Sequence, residues 1–124
     1  MELALMACIE GLLRQVAGQV QSEVQRALSG FEGFFVRPYL PQTWNVKTET
    51  ESAILTVDSS GRAQVSSGLA QSPDVTIEAT HRLANAALSG DRRTAGLYAN
   101  EASVTTHTSK GQAAWQFLRG RLGF

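Results

Sequence analysis

The sequence predicts an α+β fold: a mostly antiparallel five-stranded sheet covered by helices on one face, in the order α-β-β-β-β-α-β-α. Three observations lead there. A long apolar stripe at helical spacing opens the chain. Short β-rich segments separated by turn-forming residues follow it. A helix, a further strand and an amphipathic helix close it. Hairpin-like connections favour antiparallel pairing, and amphipathic helices must bury their apolar faces against the sheet.

The first helix is expected over residues 2–29. Leu5, Ile9, Leu12, Leu13, Val16, Val20, Val24, Ala27, Leu28 and Phe31 recur at i, i+3/i+4, and Glu10, Gln15, Gln19, Gln21, Glu23 and Gln25 fall mostly opposite. Ser29-Gly30 is a stop signal. At about 1.5 Å per residue such a helix would be about 40 Å long, which invites a kink at Gly18 or contact with a second subunit. Residues 31–44 read as an irregular connection, because Pro38 and Pro41 oppose a regular helix or central strand. This stretch holds five of the nine aromatic residues, Phe31, Phe34, Phe35, Tyr39 and Trp44, whose area must bury itself against something.

Strand signals come next: Val46–Thr50, then Ala53–Val57, the turn Asp58-Ser-Ser-Gly61, and Arg62–Ser67 as a hairpin partner. Gly68–Pro73 reads as a loop, and Asp74–Ala79 alternates with Val75, Ile77 and Ala79 on one face. Thr80 suits the N-cap of a helix over His81–Leu88 that ends at Ser89-Gly90. Asp91–Ala99 is read as a short helical turn, Ala102–His107 as a fifth strand, and Lys110–Leu122 as a last helix capped by Thr108 or Ser109. No repeat, low-complexity tract or linker divides the 124 residues, so 1–124 is expected to be a single domain.

Equal numbers of basic and acidic residues, 11 of each, argue against a dedicated nucleic-acid binder. After Glu101 no acidic residue occurs, while Lys110, Arg119 and Arg121 follow. They either complement a helix C-terminus or attract anionic lipid headgroups. The single cysteine, Cys8, excludes an internal disulfide and falls in an apolar pattern where a buried thiol is expected. No signal peptide or membrane-length apolar run is visible, so a cytoplasmic protein is expected.

The chemistry of catalysis is sparse. His81 and His107, the two histidines, lie at a helix start and a strand end, where exposed or locally hydrogen-bonded roles are expected. Two distant histidines and one cysteine do not compose a metal site. Glycine-rich phosphate loops are absent, and Asp74 with Glu78 does not form a catalytic carboxylate pair, because Glu78 alternates outward with Thr76. No enzyme, no cofactor and no metal are expected.

Four features in order resemble the sterol carrier protein type 2 family. They are the hairpin Ala53–Val65 around Asp58-Ser-Ser-Gly61, the alternating Ser72-Pro-Asp-Val-Thr-Ile-Glu-Ala79, the helix ending in Leu88-Ser-Gly90, and Val104–His107 leading through Thr108-Ser-Lys-Gly111 into the closing helix. They span about residues 45–122. The glycines that many members carry just before and just after the last strand are replaced here by residues such as Asn100 and Thr108, and Leu122-Gly-Phe124 is not a peroxisomal signal. The resemblance implies an apolar cavity between sheet and helices. It also implies non-catalytic binding or transfer of a hydrophobic small molecule: a fatty acid, acyl-CoA, sterol-like lipid or quinone.

The candidate walls are Phe31, Phe34, Phe35, Tyr39, Trp44, Trp115, Phe117, Leu118 and Leu122, side chains of the kind that line small-molecule pockets and equally ordinary core. The competing reading is a dimeric interaction or accessory protein. Its homodimer would form through residues 2–29 and its aromatic surface would bind a protein partner. Membrane contact is expected to be transient at most.

Overall fold

A computed structural model describes residues 8–30 and 33–122, excluding the side chains of 118 and 120–122. Helix α1 (Ile9–Ser29) runs without a break through Gly18 and is about 32 Å long at 1.5 Å per residue. The sequence expectation for residues 2–7 lies outside the described residues. A short helix α2 (Gly33–Val36) and a 3₁₀ turn (Arg37–Tyr39) follow, then strands β1 (Gln42–Lys47), β2 (Ser52–Val57), β3 (Ala63–Ser67) and β4 (Val75–Ala79). Helices α3 (His81–Ser89) and α4 (Arg92–Leu97), strand β5 (Ala102–Thr106) and helix α5 (Ser109–Leu122) complete the described order.

The five strands lie in the order β3-β2-β1-β4-β5. Three neighbouring pairs are antiparallel, but β1 and β4 run parallel, with Trp44 opposite Val75 and Val46 opposite Ile77. The sheet is therefore mixed, which corrects the mostly antiparallel expectation. The hairpin reading assumed that each strand lies beside its predecessor. Instead β4 leaves β3 at one edge and returns beside β1, and residues 68–74 must cross a face of the sheet to get there. Asn45 marks the crossing. Its neighbours Trp44 and Val46 belong to the core beneath the helices, so alternation turns Asn45 to the other face. There its amide donates to the Ala70 carbonyl at 3.1 Å and accepts from the Ala70 N–H at 2.8 Å, and Asn45 is buried.

The core lies between the sheet and the helices. Ile9, Leu12, Leu13, Ala17, Val20 and Val24 of α1 pack on Val46, Ala53, Leu55, Val57 and Val75. Over Ile9–Ser29 the apolar stripe that suggested a second subunit is covered by the chain's own sheet and α3. The hairpin turn is shaped by Asp58, whose Oδ1 accepts from the N–H groups of Ser60 (2.9 Å) and Arg62 (3.0 Å). Gly61 completes it at φ +87°, packed against Val24, Gln25 and Leu28 of α1. Thr80 caps α3 as expected by accepting from the Leu83 N–H, and Gly90 ends it at φ +87°. Thr108 opens α5, accepting from the Gly111 N–H at 2.9 Å.

The start of α1 is capped from a distance. Glu51, in the β1–β2 turn, accepts from the N–H groups of Ile9 (3.1 Å) and Glu10 (3.3 Å) and from the Cys8 thiol (3.3 Å). Cys8 is exposed at the N-cap position, with its thiol on Glu51, which corrects the buried-thiol expectation: the residue stands before the first helical turn rather than on the buried stripe. Partial burial pushes the Glu51 carboxyl up, but the bonds from Ile9, Cys8 and Glu10 and nearby His81 together bring it below 4.5. A carboxylate with a depressed folded pKa stabilises above its unfolded value and loses that contribution as pH falls through the folded one. Glu51→Gln is therefore expected to be about 1 kcal/mol less stable than the native chain at neutral pH. The gap should close as pH drops below the ordinary value of 4.5. Urea denaturation at pH 7 and pH 3 checks this; a gap independent of pH would remove Glu51 from the capping role.

Candidate functional site

The segment after α1 turns back sharply. A Cβ on Gly33 would come 2.5 Å from the Leu28 carbonyl oxygen, so only glycine allows this approach. Pro38 sits in the first turn of the 3₁₀ segment, where its missing N–H is not needed. The strand then begins at Gln42, directly after Pro41. This corrects the boundary of the aromatic connection: Trp44 belongs to the central strand, because both prolines precede the ladder and neither has to donate within it.

Between α1, the 33–40 segment, α5 and strands β1 and β2 lies a pocket of about 210 Å³. Val24 of α1 closes one side. Phe35, Val36, Tyr39 and Leu40 form the mouth, while Gln42, Trp44, Leu55 and Val57 supply the sheet wall. Ala113, Ala114 and Phe117 of α5 face them. The strand register makes the sheet wall continuous, since Gln42 pairs with Val57 and Trp44 with Leu55, all on the helix-facing side.

Gln42 is the one polar side chain of this wall, and it is fully engaged. Its Nε2 donates to the carbonyls of Tyr39 (2.5 Å) and Lys110 (2.9 Å), while its Oε1 accepts from Trp44 Nε1 (2.8 Å). The amide thus ties the 3₁₀ turn, the start of α5 and the Trp44 ring together. Beside this tie, the buried Asp74 accepts from the Thr43 N–H (2.9 Å) and the Thr108 hydroxyl (2.7 Å), with Lys110 Nζ at 3.7 Å. Lys110 Nζ also donates to the Pro41 carbonyl at 2.5 Å.

The sequence candidates separate into groups. Phe35, Tyr39, Trp44 and Phe117 line the pocket. Trp115 packs against Trp44, with ring centroids 5.9 Å apart, but stands behind the lining. Phe34 is 87 % exposed and outside the lining, its ring set edge-on to that of Phe35. Phe31 lies outside the described residues, as do the side chains of Leu118 and Leu122. The reading of aromatic residues passed over Val24, Val36, Leu40, Gln42, Leu55, Val57, Ala113 and Ala114. Alternation from Trp44 and across the hairpin could have found Gln42, Leu55 and Val57.

Neither histidine forms a catalytic cluster. His81 Nδ1 lies 3.2 Å from the Thr50 hydroxyl, and His107 Nε2 lies 2.8 Å from that of Thr76. Among the described residues no group of three or more His, Cys, Asp and Glu could hold a metal ion. The ion pair Arg82–Glu101, with the Arg82 guanidinium 4.0 Å over the Tyr98 ring, holds the Glu101 carboxyl at about 2. It fastens α3 to the start of β5, away from the pocket.

No family model and no curated protein matches the chain. Solved structures do. The chain is similar to sterol carrier protein domains. The sterol carrier protein 2 like 2 of Aedes aegypti is 21 % identical, with 82 % of this chain and 94 % of that chain covered, at a TM-score of 0.40. A ubiquinone synthesis protein, UbiJ-SCP2, is 18 % identical, with 87 % and 93 % covered, at 0.44. The sterol carrier protein domain 2 of Helicoverpa armigera is 11 % identical, with 86 % and 87 % covered, at 0.47. No described helix is long and apolar enough to cross a membrane.

Proposed function

We propose that this chain is a sterol-carrier-type module that binds a hydrophobic small molecule in the pocket and releases it chemically unchanged. One observation carries the reading: the pocket lining is apolar apart from Gln42 and the partly exposed Tyr39, and the Gln42 amide is engaged in three internal hydrogen bonds. Such a site rewards a hydrocarbon and offers a polar substituent little. Burying about 200 Å² of apolar ligand surface would gain about 5 kcal/mol before the costs of association. A volume of about 210 Å³ lies below the roughly 300–1,000 Å³ of pockets that enclose drug-sized ligands. The occupant is therefore part of a lipid, such as one acyl chain, with its headgroup left at the mouth.

The test uses the protein's own fluorophores. Titration with a fatty acid, an acyl-CoA, a sterol and a short-chain quinone should shift or quench the emission of Trp44 saturably for at least one of them. Ala114→Trp, which would fill the space beside α5, should weaken that binding about 100-fold or more, measured by displacement of a fluorescent fatty acid. Absence of saturable binding across the four classes would refute the carrier reading.

A further inference from the structure

The walls of the pocket are not equally embedded. Val24, Trp44, Leu55 and Val57 belong to the buried core. The mouth residues Phe35, Val36, Tyr39 and Leu40 all lie on one short strap between α1 and β1. Residues 34–41 of this strap are partly or fully exposed, and none pairs with a strand. Phe35 is 65 % exposed and Tyr39 41 %, although both line the pocket. A segment with so little burial opens at lower cost than the core beneath it. Its two ends are fixed: Gly33 is pressed against the Leu28 carbonyl, and Gln42 enters the β1–β2 ladder. The wall facing the strap, α5, is fixed at its base. There the Thr108 hydroxyl donates to Asp74 Oδ1 and the His107 N–H donates to the Asp74 carbonyl.

The strap meets α5 near Pro41. Lys110 Nζ donates to the Pro41 carbonyl at 2.5 Å, and Gln42 Nε2 holds the Tyr39 and Lys110 carbonyls together. The Lys110 ammonium also lies 3.7 Å from Asp74 Oδ2, so it spans the gap between the fixed base of α5 and the strap. Its side chain is no part of the lining. We infer that the strap is the gate of the pocket and that the Lys110–Pro41 bond is its latch. Breaking that bond frees the strap to swing away from α5, and the ligand passes through the gap. Lys110 forms the bond without touching the lining, so the latch is the same with the pocket empty or filled. A tie that is equal in two states cannot shift the equilibrium between them; it sets the barrier. Lys110 is therefore a positioning residue that governs how fast a ligand exchanges, not how tightly it binds. The motion stands on the geometry of the strap; its use by a ligand rests on the carrier reading.

Lys110→Met tests it on the full chain, because it keeps an apolar stem of similar length and removes the ammonium. Stopped-flow mixing with anthroyloxy-labelled palmitate, then displacement by unlabelled palmitate, reads both rates. Association and dissociation should each become about tenfold faster, as the loss of one charge-assisted hydrogen bond implies. The dissociation constant should stay within about twofold of native. Lys110→Arg, which keeps a cationic donor, should exchange close to the native rate. Hydrogen exchange of the empty protein reads the motion without a ligand. In Lys110→Met the amides of residues 34–40 should exchange about tenfold faster, while those of β1 and β2 keep the native rate. Where palmitate binds, native ligand rates in Lys110→Met overturn the inference, and so does unchanged amide exchange at residues 34–40. Faster exchange that spreads through β1 and β2 also overturns it, since Lys110 would then hold the fold as a whole. A weaker affinity with an unchanged association rate does the same, since Lys110 would then be a ligand contact. If residues 34–40 alone exchange faster while no lipid class binds, the carrier reading fails and the strap motion stands.

Discussion

Replacing Gly111 with alanine should destabilise the protein by about 3 kcal/mol or more, enough to leave much of a small domain unfolded. The added Cβ would lie 2.3 Å from the Asp74 carbonyl oxygen, 2.8 Å from its carbon and 3.0 Å from the Asp74 Cβ. Backbone atoms cannot swing aside as the end of a long side chain can. Relief requires the first turn of α5 to move off the start of β4, and that junction is tied at several points. Thr108 donates to Asp74 Oδ1, His107 N–H donates to the Asp74 carbonyl, and Gln42 holds the Lys110 carbonyl. Gly96→Ala is the control, because no atom lies within 4 Å of a Cβ there. Inside the exposed turn of α4 the change should be neutral or stabilising by up to about 1 kcal/mol. Urea denaturation of both variants decides it; equal stabilities would mean that α5 is not seated on β4.

Trp44→Ala should cost about 3–5 kcal/mol, the range for removing a buried large aromatic ring. The residue is 5 % exposed in the central strand and contacts Trp115. Two losses combine: the cavity left by the indole, and a Gln42 oxygen deprived of its donor. Trp44→Phe separates them. It keeps most of the ring volume and removes the N–H, so it should cost only about 1–3 kcal/mol. The free Gln42 oxygen would also present an acceptor to the pocket, so the Phe variant should tolerate a hydroxylated ligand better than the native protein does. Denaturation midpoints and ligand titrations of the two variants check both parts. If Ala and Phe cost the same, the ring volume contributes nothing to the core.

The elements that local chemistry dictates were legible in the sequence. The α1 stripe, the Asp58–Gly61 turn, the Thr80 cap and the Gly90 stop each depend on residues within a few positions of one another, so periodicity and capping rules suffice. The parallel β1–β4 pair depends on where a strand returns, and no local rule states that. The hint was Asn45, a polar residue among Trp44 and Val46 that needs a backbone partner to be buried, and Ala70 supplies it across 25 positions. The pocket was half legible for the same reason. Aromatic residues pointed to Phe35, Tyr39, Trp44 and Phe117, whereas Leu55, Val57, Ala113 and Ala114 become walls only once the sheet and α5 are assembled. Phe34 and Phe35 are adjacent and alike in chemistry, yet Phe35 lines the pocket and Phe34 does not, a difference that no local sequence rule assigns.

The return of β4 to the middle of the sheet also sets how far apart in the chain the pairing partners lie. The β1-β2-β3 meander joins near neighbours through short turns and can form from local contacts. The parallel pair joins Trp44 to Val75 across 31 positions, with the 68–74 segment spanning the meander between them. Closing that loop forfeits chain entropy before any β1–β4 bond repays it. β5 pairs only with β4, and α5 is tied to the start of β4 at Asp74 as well as to β1 at Gln42. The pocket therefore depends on the most sequence-distant pairings of the domain, since its α5 wall is tied both to β4 at Asp74 and to β1 at Gln42.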